Sequence, residues 1–389
     1  MDIRAMAASI QPELVAIRRH FHQHPELSME EVNTANYIVE QLQQLGIDVE
    51  RKVKTGVVGT LKGKKDGPVV ALRADIDALP IKEETGLSFA SVNDGIMHAC
   101  GHDAHTTCLL GAAKILSQIQ DEIPGTVKFV FQPGEEQAIG AKLLIEEGVL
   151  EGVDAIFGMH VDWTAPAGTV SVDPGPRMAS ADMFTIHVEG KGGHGSAPHQ
   201  GVDAAVVAAA IMMNLQTIVS REIDPLESAV ISIGKLVSGD RFNILPARAY
   251  MEGTCRCFNP AIRENIPDSI SRVIENTAAT FRATAKLHYQ FGCPSTINDE
   301  ALTALAQNSI KRLYGDEALT TKPPEMGSED FAFYAEKIPA TYAYLGIANS
   351  AVGACYPEHH ARYTIDESAL QVGAATYAQF AVDFLTEKS

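Results

Sequence analysis

At 389 residues, with 46% hydrophobic and 21% charged side chains, the chain reads as a soluble globular protein too long for one ordinary core, so about two domains are expected. A formal net charge of −18 argues against nucleic acid or an anionic membrane as a partner, and no apolar run approaches the roughly 20 residues that span a bilayer. Six unevenly spaced cysteines do not form a disulfide framework and the N-terminus lacks a signal-peptide pattern, so a reduced, cytoplasmic setting is expected.

Helical periodicity runs twice between Ile10 and Leu45, interrupted at His24-Pro25. Val15, Ile17 and Phe21 form the first apolar stripe; Ala35, Ile38 and Leu42 form the second. His20 and His24 share a helix face, and a solvated helix end is preferred there over a metal site. Strand patterns follow at Val57 to Leu61 and Val69 to Leu72. The second runs into Arg73-Ala-Asp-Ile-Asp77, a buried strand delivering carboxylates to a sheet edge, where open α/β sheets place their sites. Asp75 and Asp77 read either as acids that orient metal ligands or as strand-end caps.

His98-Ala-Cys-Gly-His-Asp-Ala-His105 crowds three histidines, a cysteine and an aspartate in front of a helical pattern, Thr106 to Leu116. That composition suits a transition metal of the zinc type; a polar turn with locally capping histidines is the alternative. The strand Gly125 to Phe131 ends in Gln132-Pro-Gly-Glu-Glu136, ahead of a helix from about Ala138 to Glu147. Paired glutamates can favour a helix N-terminus, or divide labour, one binding metal while its neighbour moves protons. The strand Asp154 to His160 is expected to end in its histidine. Three successive strand ends thus present acids, Glu-Glu and His to one edge.

The pattern changes near Pro174 to Met178. A strand at Phe184 to Glu189 leads into Gly190-Lys-Gly-Gly-His-Gly-Ser-Ala-Pro-His199, an alanine-rich helix at Asp203 to Val219, strands at Ala229 to Val237 and Ala249 to Cys257, a helix near Ile266 to Phe281 and a strand at Ala285 to Phe291. This is the ferredoxin-like order. A helix at Leu302 to Leu313, a strand at Ala343 to Ile347 and a helix at Glu367 to Leu385 return to the earlier themes. The expected fold is α/β: a catalytic domain of residues 1–178 and 293–389, with a mixed central sheet flanked by helices. An α+β lid and dimerisation domain of residues 179–292 is inserted in it.

These segments resemble the M20 family of metallopeptidases, in its amidohydrolase branch with hippurate hydrolase and indole-acetyl-amino-acid hydrolases. The motifs are Arg73 to Pro80, His98 to His105, Phe131 to Glu136, Gly192 to His199, Asn243 to Pro246 and Gly327 to Phe331, in the family's order and over essentially the whole chain. The resemblance implies a zinc-peptidase-like site for two divalent ions, zinc or manganese, with cobalt and nickel also suited to the donors. It implies Cys100 as bridging thiolate, with His102, Glu136, His160 and His359 as further ligands. Ala361 stands where the family has proline, which leaves His360 as an alternative to His359.

Glu135 matches the general base and His194 the oxyanion-stabilising histidine, with a ligand-free glycine-rich turn as the other reading of His194. Asn243 and Arg248 are candidate contacts to a substrate carboxylate, and His105 and His199 are read as structural. Gly134 stands where the branch commonly has alanine, which is expected to loosen the turn beside the base. The implied activity is hydrolysis of the amide bond of N-acyl amino acids, by a homodimer formed through the inserted domain. A dipeptidase or carboxypeptidase, and a metal-containing binding protein without turnover, are the competing readings; Glu135 argues against the last.

Overall fold

A computed structural model describes residues 2–388 and divides them into two compact units. The first holds the chain through Gly175, Ile297–Pro323 and everything from Asp330 onward; the second holds Pro176–Thr296 and Pro324–Glu329.

The first unit opens with three helices, α1 (Ile3–Ser9), α2 (Gln11–Gln23) and α3 (Val32–Gln44). Pro12 lies in the first turn of α2, where its missing N–H is not needed, and Leu14, Ile17 and Phe21 bury one face. Three strands follow, β1 (Asp48–Lys52), β2 (Gly56–Lys62) and β3 (Lys65–Asp75), then α4 (His102–Gln118), β4 (Pro124–Gln132), α5 (Gly140–Glu146) and β5 (Ala155–Pro166). Here one expectation is corrected: β5 does not end at His160 but continues six residues further. Its extension stays paired with a later strand, from Val161 opposite Leu345 to Pro166 opposite Ala348, so His160 projects from mid-strand.

The second unit contains β6 (Ala181–Glu189), α6 (Ala204–Thr217), β7 (Ala229–Ser238), β8 (Arg248–Cys257), α7 (Pro260–Thr280) and β9 (Thr284–Cys293). The strands pair antiparallel in the order β7-β8-β6-β9. Period-two alternation puts Phe184, Ile186 and Val188 into a core with Val207, Ile211, Leu215, Ile270 and Ile274 of the helices. The helix α7 starts well before the expected Ile266, because Asn259 caps it and Pro260 occupies its first position. A second correction concerns α6: with the turn that continues it, Ala204–Glu222 is long and apolar enough to cross a membrane by length and composition. One side of it is the buried face just named; Val206 and Met213 on another side are exposed.

Returning to the first unit, the chain forms α8 (Glu300–Tyr314), β10 (Ala340–Ala348) and α9 (Leu370–Lys388). Its sheet runs β1-β2-β4-β3-β5-β10 and ends in two short strands, Val170–Ser171 and Leu319–Thr320. Pairing is antiparallel from β1 to β4 and parallel among β4, β3, β5 and β10, a mixed sheet. Phe380 of α9 stacks on Phe157 of β5 at 4.4 Å, and Tyr377 Oη donates to the Arg73 carbonyl at 2.7 Å. Fourteen of the seventeen residues of α4 are buried, so the end that carries His102 is held from several sides.

Candidate metal centre and catalytic site

The turn into α4 sets the first two side chains. Gly101 sits at φ 89 as the residue before the helix, and a Cβ there would lie 2.5 Å from Val161 Cγ2 and 2.7 Å from Tyr363 Oη. Only glycine fits between Cys100 and His102 in this geometry. Asp103, in the first helical turn, accepts from Arg18 Nε and His22 Nδ1, both at 2.8 Å and fully buried. Burial opposes ionisation of Asp103, but Arg18 and His22 outweigh it and hold the carboxyl well below its usual range. This buried network ties α2 to the start of α4.

The end of β3 supplies the orienting acids. Asp77 Oδ1 accepts from His102 Nδ1 and the Glu135 amide, each at 3.2 Å. Its other oxygen accepts from Ser28 Oγ at 2.6 Å and the Glu136 amide at 3.1 Å. Asp77 therefore fixes one imidazole and the backbone of both glutamates. Asp75 accepts from His105 Nδ1 at 2.6 Å and from Arg73 at 2.8 Å. His105 Nε2 in turn accepts from the Val161 amide at 2.9 Å, so both its nitrogens are used, and burial lowers its pKa to about 4. His105 is a neutral structural residue.

Cys100, His102, Glu135, Glu136, His160 and His359 converge. Donor atoms of Cys100, His102 and His160 lie within 4.8 Å of one another, as do those of Cys100, Glu136 and His359 and those of His102, Glu135 and Glu136. His160 donates from Nδ1 to the Val161 carbonyl at 2.7 Å, which aims Nε2 at Cys100 Sγ, 3.4 Å away. His102 likewise has Nδ1 engaged by Asp77. His102 Nε2 and Glu136 Oε1 are 3.9 Å apart, buried, and without a hydrogen-bond partner among the described residues. His359 holds φ 63, donates its amide to the Ala99 carbonyl at 2.8 Å and puts Nε2 3.6 Å from Glu136 Oε1. His360 turns elsewhere: it stacks on Tyr356 at 4.8 Å and accepts the Arg362 amide.

Two buried polar atoms without a hydrogen-bond partner, beside a thiol and two further imidazoles, fit a divalent cation. Burial, then the Glu136 carboxylate, pushes the Cys100 thiol well above its ordinary range, so a thiolate here requires a cation.

Sequence reasoning missed Glu31 and Ser28 behind this cluster and gave Asp330 only within the Gly327 to Phe331 motif, without a role. Glu31 and Ser28 brace the turn at Gly134 and the acid Asp77, and Asp330 accepts from Arg73, Gln132 and the Ala141 amide while its own amide meets Glu135 Oε1 at 3.4 Å. Gly134 was expected to loosen its turn; instead it takes φ 67, donates to Glu31 at 3.0 Å, and its carbonyl accepts from Gly140. His20 and His24 lie with tilted rings 4.8 Å apart, and His20 stacks on Tyr37 at 4.3 Å, apart from the cluster.

In the second unit, a two-stranded ribbon pairs His194 with Ile244 and so brings His194 and Asn243 together. Ser196 donates its amide to His194 Nδ1 at 3.1 Å, which leaves the ring proton on Nε2. Asn243 Oδ1 is buried with no partner among the described residues. Arg248 is 83% exposed and 3.9 Å from Glu189, and His199 lies exposed in a short 3₁₀ turn.

Fold and donor set together define a metal-dependent hydrolase of amide bonds. The sequence model of peptidase family M20/M25/M40 matches residues 71–383, and the chain belongs to that family. It is 44% identical over 371 residues to an N-acetylcysteine deacetylase of Bacillus subtilis, covering 95% of this chain and 96% of that protein. It is 40% identical over 380 residues to thermostable carboxypeptidase 1 of Saccharolobus solfataricus, covering 96% of each. The structure of the B. subtilis YXEP protein, a dinuclear metal binding peptidase from the M20 family, superposes with a TM-score of 0.88 at 40% identity, over 98% of this chain and all of that one.

Proposed function

We propose that this protein removes the acyl group from N-acylated amino acids, releasing a carboxylic acid and the free amino acid. The observation that carries the reading is the sharing of Cys100 by two donor groups, one with His102 and His160, the other with Glu136 and His359, beside an acid that belongs to neither. Two divalent ions, zinc or manganese, would suit these sets, and Cys100, which belongs to both, would serve each. When bound, such ions make water acidic enough to attack a carbonyl near neutral pH and polarise the carbonyl itself.

The chain's own groups do the rest. Glu135, next to ligand Glu136 but pointing to the Asp330 amide, takes the proton from the attacking water and delivers it to the leaving nitrogen. His102 and His160, each with Nδ1 pinned, present only Nε2 to the cations. His194, with its proton on Nε2, suits stabilisation of the oxyanion, and Asn243 and Arg248 suit a carboxylate. A homodimer is part of the proposal: the exposed Val206 and Met213 of α6 lie in the same unit as the edge strand β7, where Leu236 and Val237 are exposed. Six unevenly spaced cysteines suit a reduced, cytoplasmic setting.

The test is metal analysis with a panel of N-acetyl and N-benzoyl amino acids and dipeptides, in wild type and Glu135→Gln. Release of amino acid from acylated compounds by wild type, and metal-replete but inactive Glu135→Gln, are expected. Cleavage of dipeptides alone would move the assignment to a carboxypeptidase, which the archaeal relative favours. Loss of metal from Glu135→Gln would remove Glu135 from the role of base.

A further inference from the structure

The turn that carries the base and its neighbouring ligand has four amide N–H groups held by buried carboxylates from three distant segments. Gly134 donates to Glu31 Oε1 at 3.0 Å, Glu135 and Glu136 to Asp77 at 3.2 and 3.1 Å, and Ala141 to Asp330 Oδ2 at 3.0 Å. Asp77 also grips His102, and Asp330 is bound to Arg73. Glu31 belongs to none of the donor groups, yet it holds the residue immediately before the base.

Its surroundings are built for that task. Glu31 is fully buried, whereas its neighbour Glu30 is exposed. Oε1 accepts from the Met29 amide at 2.8 Å as well as from Gly134, and Oε2 accepts from Thr55 Oγ1 at 2.6 Å. Met29 and Gly134 are both left-handed, at φ 66 and 67, and Met29 Sδ lies 2.8 Å from where a Cβ on Gly134 would stand. One carboxylate therefore clamps two unusual backbone positions against each other. An apolar side chain at position 31 would fill the space but leave both amides without an acceptor.

We propose that Glu31 is a positioning residue for the hydrolytic reaction: through Gly134 it sets the direction in which Glu135 projects. The proposal rests on the reading of Glu135 as the base. Because effective proton transfer depends on placement within a fraction of an ångström, release of the clamp lowers turnover without touching substrate or metal.

Three substitutions separate this from a merely structural role. In Glu31→Gln the amide oxygen can accept both N–H groups while its NH₂ donates to Thr55, so the clamp persists. Glu31→Asp withdraws the oxygens, and Glu31→Ala removes them. We expect kcat to fall about 10- to 100-fold in the Ala and Asp variants, with KM and metal content within about two-fold of wild type, and Gln to restore turnover to within about three-fold.

Amide hydrogen exchange over residues 132–139 should accelerate in the Ala and Asp variants and not in Gln. Should the Ala variant not fold, the Asp and Gln pair decides. Unchanged kcat in Asp, or Gln as impaired as Asp, would overturn the proposal. If wild type hydrolysed no acylated amino acid, the proposed function would fall, while exchange in the turn would still judge the clamp.

Discussion

Asp77 joins one imidazole to the backbone of both glutamates, and Asp77→Asn isolates what it does. The aspartate is 1% exposed and its two oxygens accept from four donors: His102 Nδ1, the Glu135 and Glu136 amides, and Ser28 Oγ. An asparagine of the same shape has one acceptor oxygen. If that oxygen stays with His102 and Glu135, the NH₂ group faces Ser28, whose hydroxyl can turn to accept, and the Glu136 amide, which cannot. One buried N–H is then orphaned at a cost of about 1–3 kcal/mol, and the ring of His102 loses the negative charge behind it. Loss of such an outer partner lowers metal affinity by roughly 10–100-fold. Competition against a chelating indicator measures this directly, with thermal unfolding of the metal-free protein recorded alongside. Ser28→Ala, which removes one outlying bond, serves as the comparison and should keep near wild-type affinity. An Asp77→Asn protein that is less stable but binds metal as tightly as wild type would refute the reasoning.

Three further outcomes are expected. His359→Ala should deplete bound metal far more than His360→Ala, by elemental analysis, because only His359 faces Glu136; the reverse order would displace His359 from the ligand set. Gly134→Ala should lower the melting temperature, since it places a Cβ in a left-handed position at about 1–2 kcal/mol and against Met29 Sδ; an unchanged melting temperature would show the turn to be slack. Burial lowers the pKa of both His98 and His105 to about 4, against about 6.5 in an unfolded chain, so the unfolded state binds more protons between these values. The contribution of these two histidines to the stability of the metal-free protein should therefore be full above about pH 6.5 and fall as pH drops towards 4. It is opposite in sign to that of His22 and His102, whose pKa values are raised. Comparing the pH profile of wild type with that of a His98→Gln, His105→Gln variant isolates it, and equal profiles would contradict the buried neutral state.

What could be read from the chain divides along a physical line. Candidate site residues carried by short motifs, such as Cys100 with His102 or Glu135 with Glu136, announce themselves because a turn of few residues fixes their spacing. Elements with strong periodicity, such as α2 and β4, likewise emerge within a few residues of their observed bounds. The sequence reading ends a strand at His160, but Asp162 two residues on is buried, accepting from Thr164 and Lys322, and the strand continues through it. Glu31 offers no local signal at all. It differs from Glu30 only in what faces it, an amide a hundred residues away in sequence, and no window along the chain contains that partner. Asp75 and Asp77 were legible as acids at an edge, but their grip on His105 and His102 depends on the packing of α4 against β3.

The distances along the chain between members of the cluster also set a timetable. Cys100, His102 and His160 are made early, whereas His359 and Asp330 belong to the last stretch of the polypeptide. Synthesis at about 5–20 residues per second separates His102 from His359 by roughly 10–50 s. During that interval a growing chain can offer the donors that precede residue 161, among them Cys100 with His102 and His160, but not the set that needs His359, and the turn bearing Glu135 lacks the carboxylate that secures Ala141. Of the two proposed cation positions, the one that needs His359 is therefore completed last. A stalled or truncated chain that ends before Asp330 lacks both His359 and the carboxylate that secures Ala141, and is expected to hydrolyse nothing.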